Sequence, residues 1–109
     1  MLIGILGGAR EEKAEYALSA LDAAMEEYME ASQCFLFNAA VLSKDPFNES
    51  LGSLWASRRG CPIRIFEKME KLLYVVDYCI FILEKGDEET KRAFMKYKMM
   101  GKHGKVIKM

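Results

Sequence analysis

The sequence has few of the residues that mark disulfide scaffolds and metal centres. Its 109 residues include three cysteines, one histidine and two prolines. Cys34, Cys61 and Cys79 are an odd number without Cys-x-x-Cys spacing, and each lies at or beside a predicted strand. They are therefore predicted to be buried, reduced thiols. His103 lies in a Gly-Lys loop far along the chain, which argues against zinc. No metal site and no cofactor are predicted.

The chain also lacks net charge and a long hydrophobic run. Sixteen basic residues balance sixteen acidic ones, which argues against nucleic acid or a membrane surface as the partner. The most apolar run, 72–83, is broken by Asp77 and is too short to span a bilayer. The N-terminus has no secretory pattern. One cytoplasmic domain over residues 1–109 is expected.

The charges are nevertheless unevenly distributed. Residues 11–30 are rich in Glu, whereas 91–109 contain seven basic residues and no acid. The pattern fits two solvated helix faces of opposite sign. It also fits a basic patch for an anionic ligand, or a contact between an acidic and a basic surface of two subunits.

Short apolar runs alternate with segments of helical periodicity along the whole chain. Gly, Pro and Asp mark the boundaries, including an Asp45-Pro46 helix start and a stop at Gly60. The predicted strands are 2–6, 34–37, 62–66, 78–83 and 106–107. The predicted helices are 11–30, 45–58, 69–76 and 87–100, with a loop over 38–44.

This alternation predicts an α/β fold, a three-layer α/β/α sandwich around a mostly parallel five-stranded sheet. The predicted strand order is 3-2-1-4-5, and the fourth strand, apolar throughout, is expected to be central. In such a sheet, ligands bind beyond the carboxyl ends of the strands, where the strand order reverses. The candidate site therefore lies between the first and fourth strands.

The loop after the first strand carries the strongest signal for a ligand. Gly7 and Gly8 allow an anion to approach the backbone closely, and the helix that follows Ala9 presents free N–H groups. Arg10 can add a bidentate contact to phosphate. The alternative is a tight strand-to-helix turn with no ligand.

Two further loops are expected to face the same point. The second contributes Asn38, Ser43, Asn48 and Glu49, which suit sugar hydroxyls but also suit helix caps. The third contributes Glu84, and Thr90 in the first turn of the next helix. Glu49 or Glu84 is a candidate nucleophile or base for N-glycosidic chemistry, with Glu49 as the candidate catalytic residue.

Three stretches resemble the SLOG superfamily, the Rossmann-like group that includes the cytokinin-activating LOG phosphoribohydrolases. They are "IGILGGAR", "LGSLWASRRGCPIRIF" and "YVVDYCIFILEKGDEET". The likeness covers nearly the whole chain and is greatest to the small single-domain members. It implies a Rossmann-like fold that binds nucleotides or their ribose-phosphate derivatives, which some members hydrolyse and others only hold.

The chain departs from the family pattern in the second and third loops. The stretch "NAAVLSKDPFNES" has no glycine where the family has a glycine-rich phosphate clamp, although Glu49 falls near the family's acid. Lys68-Met69 replaces Arg-Asn. In the family's Gly-Thr pair, Glu89 replaces glycine and Thr90 persists.

The expected function is the binding of a nucleotide-derived ligand without catalysis: a ribose-phosphate, an ADP-ribose-type molecule or a cyclic nucleotide signal. One alternative is a hydrolase or transferase acting on the N-glycosidic bond of nucleosides or nucleotides. Another is an interaction protein on a degenerate Rossmann scaffold, marked by Arg10 in a salt bridge and by Phe47 in the pocket. Eight methionines and several amphipathic helices on a short chain predict a homodimer or a higher homo-oligomer.

Overall fold

Five parallel strands alternate with helices in the computed structural model, which describes residues 1–43 and 51–109. The sheet order is β3-β2-β1-β4-β5, so the predicted α/β class, the strand order and the central position of the fourth strand are confirmed. The strands are β1 (Leu2–Gly7), β2 (Asn38–Leu42), β3 (Ile63–Phe66), β4 (Tyr78–Leu83) and β5 (Gly104–Lys108). The helices are α1 (Ala14–Ser32), α2 (Leu51–Arg59), α3 (Met69–Val75) and α4 (Glu88–Met99), and a 3-10 turn over Glu11–Lys13 precedes α1.

The helices cover the two faces of the sheet in pairs. Alternate residues of a buried strand face opposite sides. Ile80 and Ile82 of β4 accordingly join the core beneath α1 and α2. Cys79 and Phe81 join the core beneath α3 and α4. This gives the three layers that the alternation of elements predicts.

The second strand was predicted in the wrong place. It runs over Asn38–Leu42, and 34–37 form no strand. Gln33 ends α1 in the left-handed conformation, and the chain then crosses the edge of the sheet with Phe35 and Leu36 exposed. The actual strand contains Ala39 and Ala40. Alanine has a low strand propensity, so the sequence pattern did not indicate a strand here. Both alanines are nevertheless fully buried.

The cysteines and the second helix need smaller corrections. Cys79 is buried as predicted, whereas Cys34 and Cys61 are only partly buried. Gly60 (φ +65°) ends α2 as predicted: its N–H donates to Ser57 and that of Cys61 donates to Ala56, the paired bonds of a Schellman motif. The Asp45-Pro46 helix start lies outside the described residues.

No helix within residues 1–43 and 51–109 is long and apolar enough to cross a membrane.

Candidate functional site

The site predicted by the strand order is the carboxyl edge of β1 and β4. β1 pairs with β2 on one side and with β4 on the other. The connection after β1 leads to α1 on one face of the sheet, whereas the connection after β4 leads to α4 on the opposite face. Gly7 lies beside Ile82 in the β1–β4 register. The loop after β1 and the loop after β4 therefore meet at the topological switch point.

The first glycine of the loop is required by the fold itself. Gly7 has φ +90°, and a Cβ built on it would overlap the carbonyl oxygen of Ile82. The same Cβ would lie 3.0 Å from Thr90 Cγ2. Any L side chain would be strained in this conformation and would also displace β4 or α4. Gly7 alone is therefore no sign of a ligand.

The second glycine has no such structural requirement. Gly8 does not have a positive φ. A Cβ built on Gly8 would meet nothing within 4 Å among the described residues. The fold thus accounts for one glycine of the pair, and the other leaves open backbone at the switch point.

Two cations converge on one carboxylate beside this open backbone. Arg10 Nε lies 3.5 Å and Lys13 Nζ 3.7 Å from Glu84 Oε1. The backbone N–H of Arg10 also donates to Glu84 Oε2 at 3.4 Å. The Glu84 side chain is 15% exposed, whereas that of Arg10 is 63% exposed. The Glu84 carboxylate thus pairs with two cationic side chains and accepts a hydrogen bond from one backbone N–H at the start of the helix.

Thr90 is occupied by a structural role. Its hydroxyl donates to Asp87 Oδ2 at 2.6 Å, and its N–H donates to Asp87 Oδ1 at 3.0 Å. These bonds form the N-cap of α4. Thr90 is 1% exposed and packs against the space that Gly7 leaves open. The structure thus argues against Thr90 as a ligand contact.

The second loop divides between the two edges of the sheet. Asn38 begins β2 beside Leu2, at the amino edge, so its predicted place in a ligand loop is wrong. Ser43 follows β2 at the carboxyl edge, where its N–H donates to the carbonyl of Phe66. Asn48 and Glu49 lie outside the described residues, as does Phe47.

The carboxyl edge also carries a shallow cavity of about 270 Å³ beside Glu84, on the β5 side. Its lining includes Gly86, Lys91 and Lys108. A larger cavity, of about 600 Å³, lies at the opposite edge between α1 and the end of α2. Of the residues that meet at the switch point, Glu84 lines the smaller cavity, whereas Arg10 and Lys13 do not.

Sequence reasoning missed Lys13 at this site. It lies three residues after Arg10, and the N–H of Lys13 donates to the carbonyl of Arg10. In a helical turn this spacing brings two side chains to one side, so the sequence did hold the signal. Within 1–43 and 51–109, no three His, Cys, Asp or Glu side chains cluster closely enough to hold a metal ion.

Comparisons with protein-family models, with curated proteins and with solved structures found no match for this chain. The resemblance to the SLOG superfamily therefore stays a prediction from the quoted residues.

Proposed function

We propose that the carboxyl edge at β1 and β4 binds a nucleotide-derived ligand, such as a ribose-phosphate, an ADP-ribose-type molecule or a cyclic nucleotide, without transforming it. The observation that carries the proposal is the convergence of Arg10 and Lys13 on Glu84 beside the open backbone of Gly8. In this proposal Glu84 occupies the place of the ligand's phosphate while the site is empty. The SLOG resemblance and a cytoplasmic location, where such ligands occur, are part of the same proposal.

A phosphate can displace the Glu84 carboxylate at little cost. The N–H of Arg10 is 3.4 Å from Glu84, beyond the usual range of about 2.7–3.2 Å for N–H···O bonds. Ion pairs with a largely exposed partner such as Arg10 contribute about 0–1 kcal/mol. A phosphate carries more charge and offers more acceptor oxygens, so it gains more from the same donors.

The displaced carboxylate then has a role of its own. Glu84 lies directly after β4, and a carboxylate there can accept hydrogen bonds from ribose hydroxyls. Gly8 lets the ligand approach the backbone without a Cβ in its path. The site thus holds the phosphate by charge and the sugar by hydrogen bonds.

The first test is a thermal shift with a panel of AMP, ribose 5-phosphate, ADP-ribose and cyclic dinucleotides. A ligand at about 100 times its Kd stabilises the native state by about 2.7 kcal/mol. For a domain of this size that corresponds to a rise in Tm of about 10 °C or more. No shift with any member of the panel at millimolar concentration would overturn the proposal.

Two variants then test the site itself by calorimetric titration of the ligand found. Arg10→Ala is expected to weaken binding at least tenfold, because it removes a charge-assisted contact. Glu84→Gln is expected to tighten binding several-fold, because the competing anion is gone. Glu89→Gln is the matched control: Glu89 has the same charge, lies in the first turn of α4 and forms no ion pair with Arg10. Equal effects of Glu84→Gln and Glu89→Gln would contradict the displacement of Glu84.

One observation favours a second candidate function, an interaction protein on a scaffold that has lost its ligand. Arg10 is in a salt bridge with Glu84, as that alternative predicts. The second feature that it predicts, Phe47 in the pocket, lies outside the described residues. In this case no nucleotide binds and Arg10→Ala changes no ligand affinity. The N-glycosidic alternative rests on Glu49, also outside the described residues; release of free base from a nucleotide would reinstate it.

A further inference from the structure

The larger cavity is an apolar groove at the amino edge of the sheet. It has a volume of about 600 Å³ and lies between the second half of α1, the connection 33–37 and the end of α2. We call it the α1–α2 groove. Its apolar lining consists chiefly of Met25, Met29, Phe35, Leu36, Phe37 and Trp55.

Part of this lining is not explained by the packing of the core. Phe37 stacks on Trp55 with ring centroids 6.3 Å apart, so these two rings stabilise the sheet face. Phe35 and Leu36, by contrast, are 61% and 86% exposed. Two adjacent large apolar residues exposed beside a groove are typical of an interaction surface.

The charges around the groove indicate the sign of the charge on a partner that binds there. Glu26 and Glu30 are one turn apart on α1 and border the groove. Neither carboxylate forms an ion pair within the described part of the chain. Asp22, by contrast, is neutralised: it accepts hydrogen bonds from Trp55 Nε1 at 2.6 Å and from Arg59 Nε at 2.9 Å. The rim therefore carries two unpaired negative charges.

These charges disfavour the simplest dimer, in which two grooves face each other. Such a two-fold contact would bring four carboxylates together in a partly desolvated interface, and like charges there are repulsive. The groove instead suits a helix with an apolar stripe and basic flanks. Helix-in-groove binding has these requirements.

The same chain carries such a helix. Met95 and Met99, one turn apart on α4, are 56% and 87% exposed. Lys91, Arg92 and Lys98 flank them, and none of the three forms an ion pair among residues 1–43 and 51–109. This surface, the α4 face, is part of the acid-free segment that the sequence marks out. Methionine side chains are flexible enough to fill an irregular groove.

A chain cannot fill its own groove with its own α4 face, because α1 and α4 lie on opposite faces of the sheet. The dimensions suit a contact between two copies. The nine residues 22–30 of α1 extend over about 13.5 Å and the twelve residues of α4 over about 18 Å, at about 1.5 Å per residue. The α4 face is thus long enough to cover the acidic border.

We infer that this protein self-associates head to tail, with the α4 face of one copy in the α1–α2 groove of the next. A pair joined in this way keeps one free groove and one free α4 face, so the contact adds further copies in a line or closes a ring. Of the residues in this contact, only Lys91 also lines the cavity at the carboxyl edge, and the others lie outside it. It assigns a surface to the predicted homo-oligomer.

The test is a charge swap measured by sedimentation and light scattering. The groove variant is Glu26→Lys with Glu30→Lys, and the helix variant is Arg92→Glu with Lys98→Glu. Each variant alone pairs like charges, so its self-association is expected to weaken at least tenfold. An equimolar mixture is expected to associate again, with the two variants alternating, because the basic groove of the first fits the acidic helix of the second and the unchanged α4 face of the first fits the unchanged groove of the second. Lys68→Glu with Lys71→Glu is the control, and this variant is expected to self-associate like the wild type.

The wild type is expected to gain mass with concentration and to lose it in high salt. A wild type that stays monomeric at several hundred micromolar overturns the inference. Self-association that is retained in each of the two variants alone overturns it as well, since another surface must then be responsible. A mixture of the two folded variants, checked by circular dichroism, that fails to associate has the same consequence. Leu36→Ser and Met99→Ser, each without a change of charge, are expected to weaken the wild-type association too.

Discussion

The two adjacent glycines after β1 allow the structural and the ligand interpretations of this loop to be separated. The perturbation is one methyl group added at each position: Gly7→Ala and Gly8→Ala. At Gly7 the new Cβ would overlap the Ile82 carbonyl at φ +90°. At Gly8 it would meet no described atom within 4 Å.

The expected magnitudes differ widely. A non-glycine residue held at an unfavourable φ costs about 1–3 kcal/mol, and a displacement of β4 adds about 1–3 kcal/mol of packing loss. Gly7→Ala is therefore expected to lower the free energy of unfolding by about 2–6 kcal/mol, out of about 5–15 kcal/mol for a typical domain. Gly8→Ala is expected to leave it unchanged or to raise it by about 0.4–1 kcal/mol, because alanine restricts the unfolded chain.

The assay is urea denaturation followed by circular dichroism, together with titration of the ligand identified by thermal shift. Gly8→Ala is expected to weaken ligand binding at least tenfold while its stability is retained, since the methyl group lies where the ligand approaches the backbone. A Gly8→Ala variant as unstable as Gly7→Ala would refute the structural reasoning. A stable Gly8→Ala variant with unchanged affinity would refute the role of Gly8 in the site.

Three other side chains allow sharp predictions. Lys102 Nζ donates to three carbonyls at the end of α3, at 2.7–3.2 Å. Lys102→Met is therefore expected to lower the free energy of unfolding, measured by urea denaturation, by about 2 kcal/mol. The control Lys71→Met, at an exposed site on α3, is expected to change it by less than about 0.5 kcal/mol. The buried hydroxyl of Tyr97 has no hydrogen-bond partner in the described part of the chain, so Tyr97→Phe is expected to stabilise the protein by about 1 kcal/mol; a loss in Tm would contradict this. Burial acts to raise the pKa of the Asp22 carboxyl, but hydrogen bonds from Arg59 and the indole of α2 lower it on balance. Its stabilisation is therefore present above its unfolded pKa of about 3.9 and is lost as the pH falls below it; Asp22→Asn is expected to cost about 1 kcal/mol at pH 7 and to flatten the loss of stability between about pH 4 and 2, measured by denaturation across that range.

The strand order could be predicted because the chain alternates strongly between two periodicities. Short apolar runs and helical segments follow each other without a repeat, and right-handed crossovers then allow few topologies. The second strand could not be located in the same way. Phe35 and Leu36 have residue types typical of a strand, yet the sheet contains Ala39 and Ala40 instead. Only the hydrogen-bonded register with β1 and β3 identifies the second strand.

Site residues were predictable only to the level of the loop. Gly7, Arg10 and Glu84 do lie together, because their strands are neighbours at the switch point. Asn38 was misplaced, because the error in the second strand put it at the wrong edge of the sheet. Thr90 bonds to the N-cap residue Asp87, and a residue of a helix cap and a ligand contact have the same appearance in sequence.

The sequence by itself determined the class of fold, the order of its elements and the loop at which strand order reverses, since these follow from local periodicity and chain connectivity. The tertiary structure alone decided which glycine the backbone requires, which carboxylate contacts Arg10, and which apolar side chains stay outside the core. Those outcomes depend on contacts between residues some 70 positions apart, as for Arg10 and Glu84, and no local pattern records them.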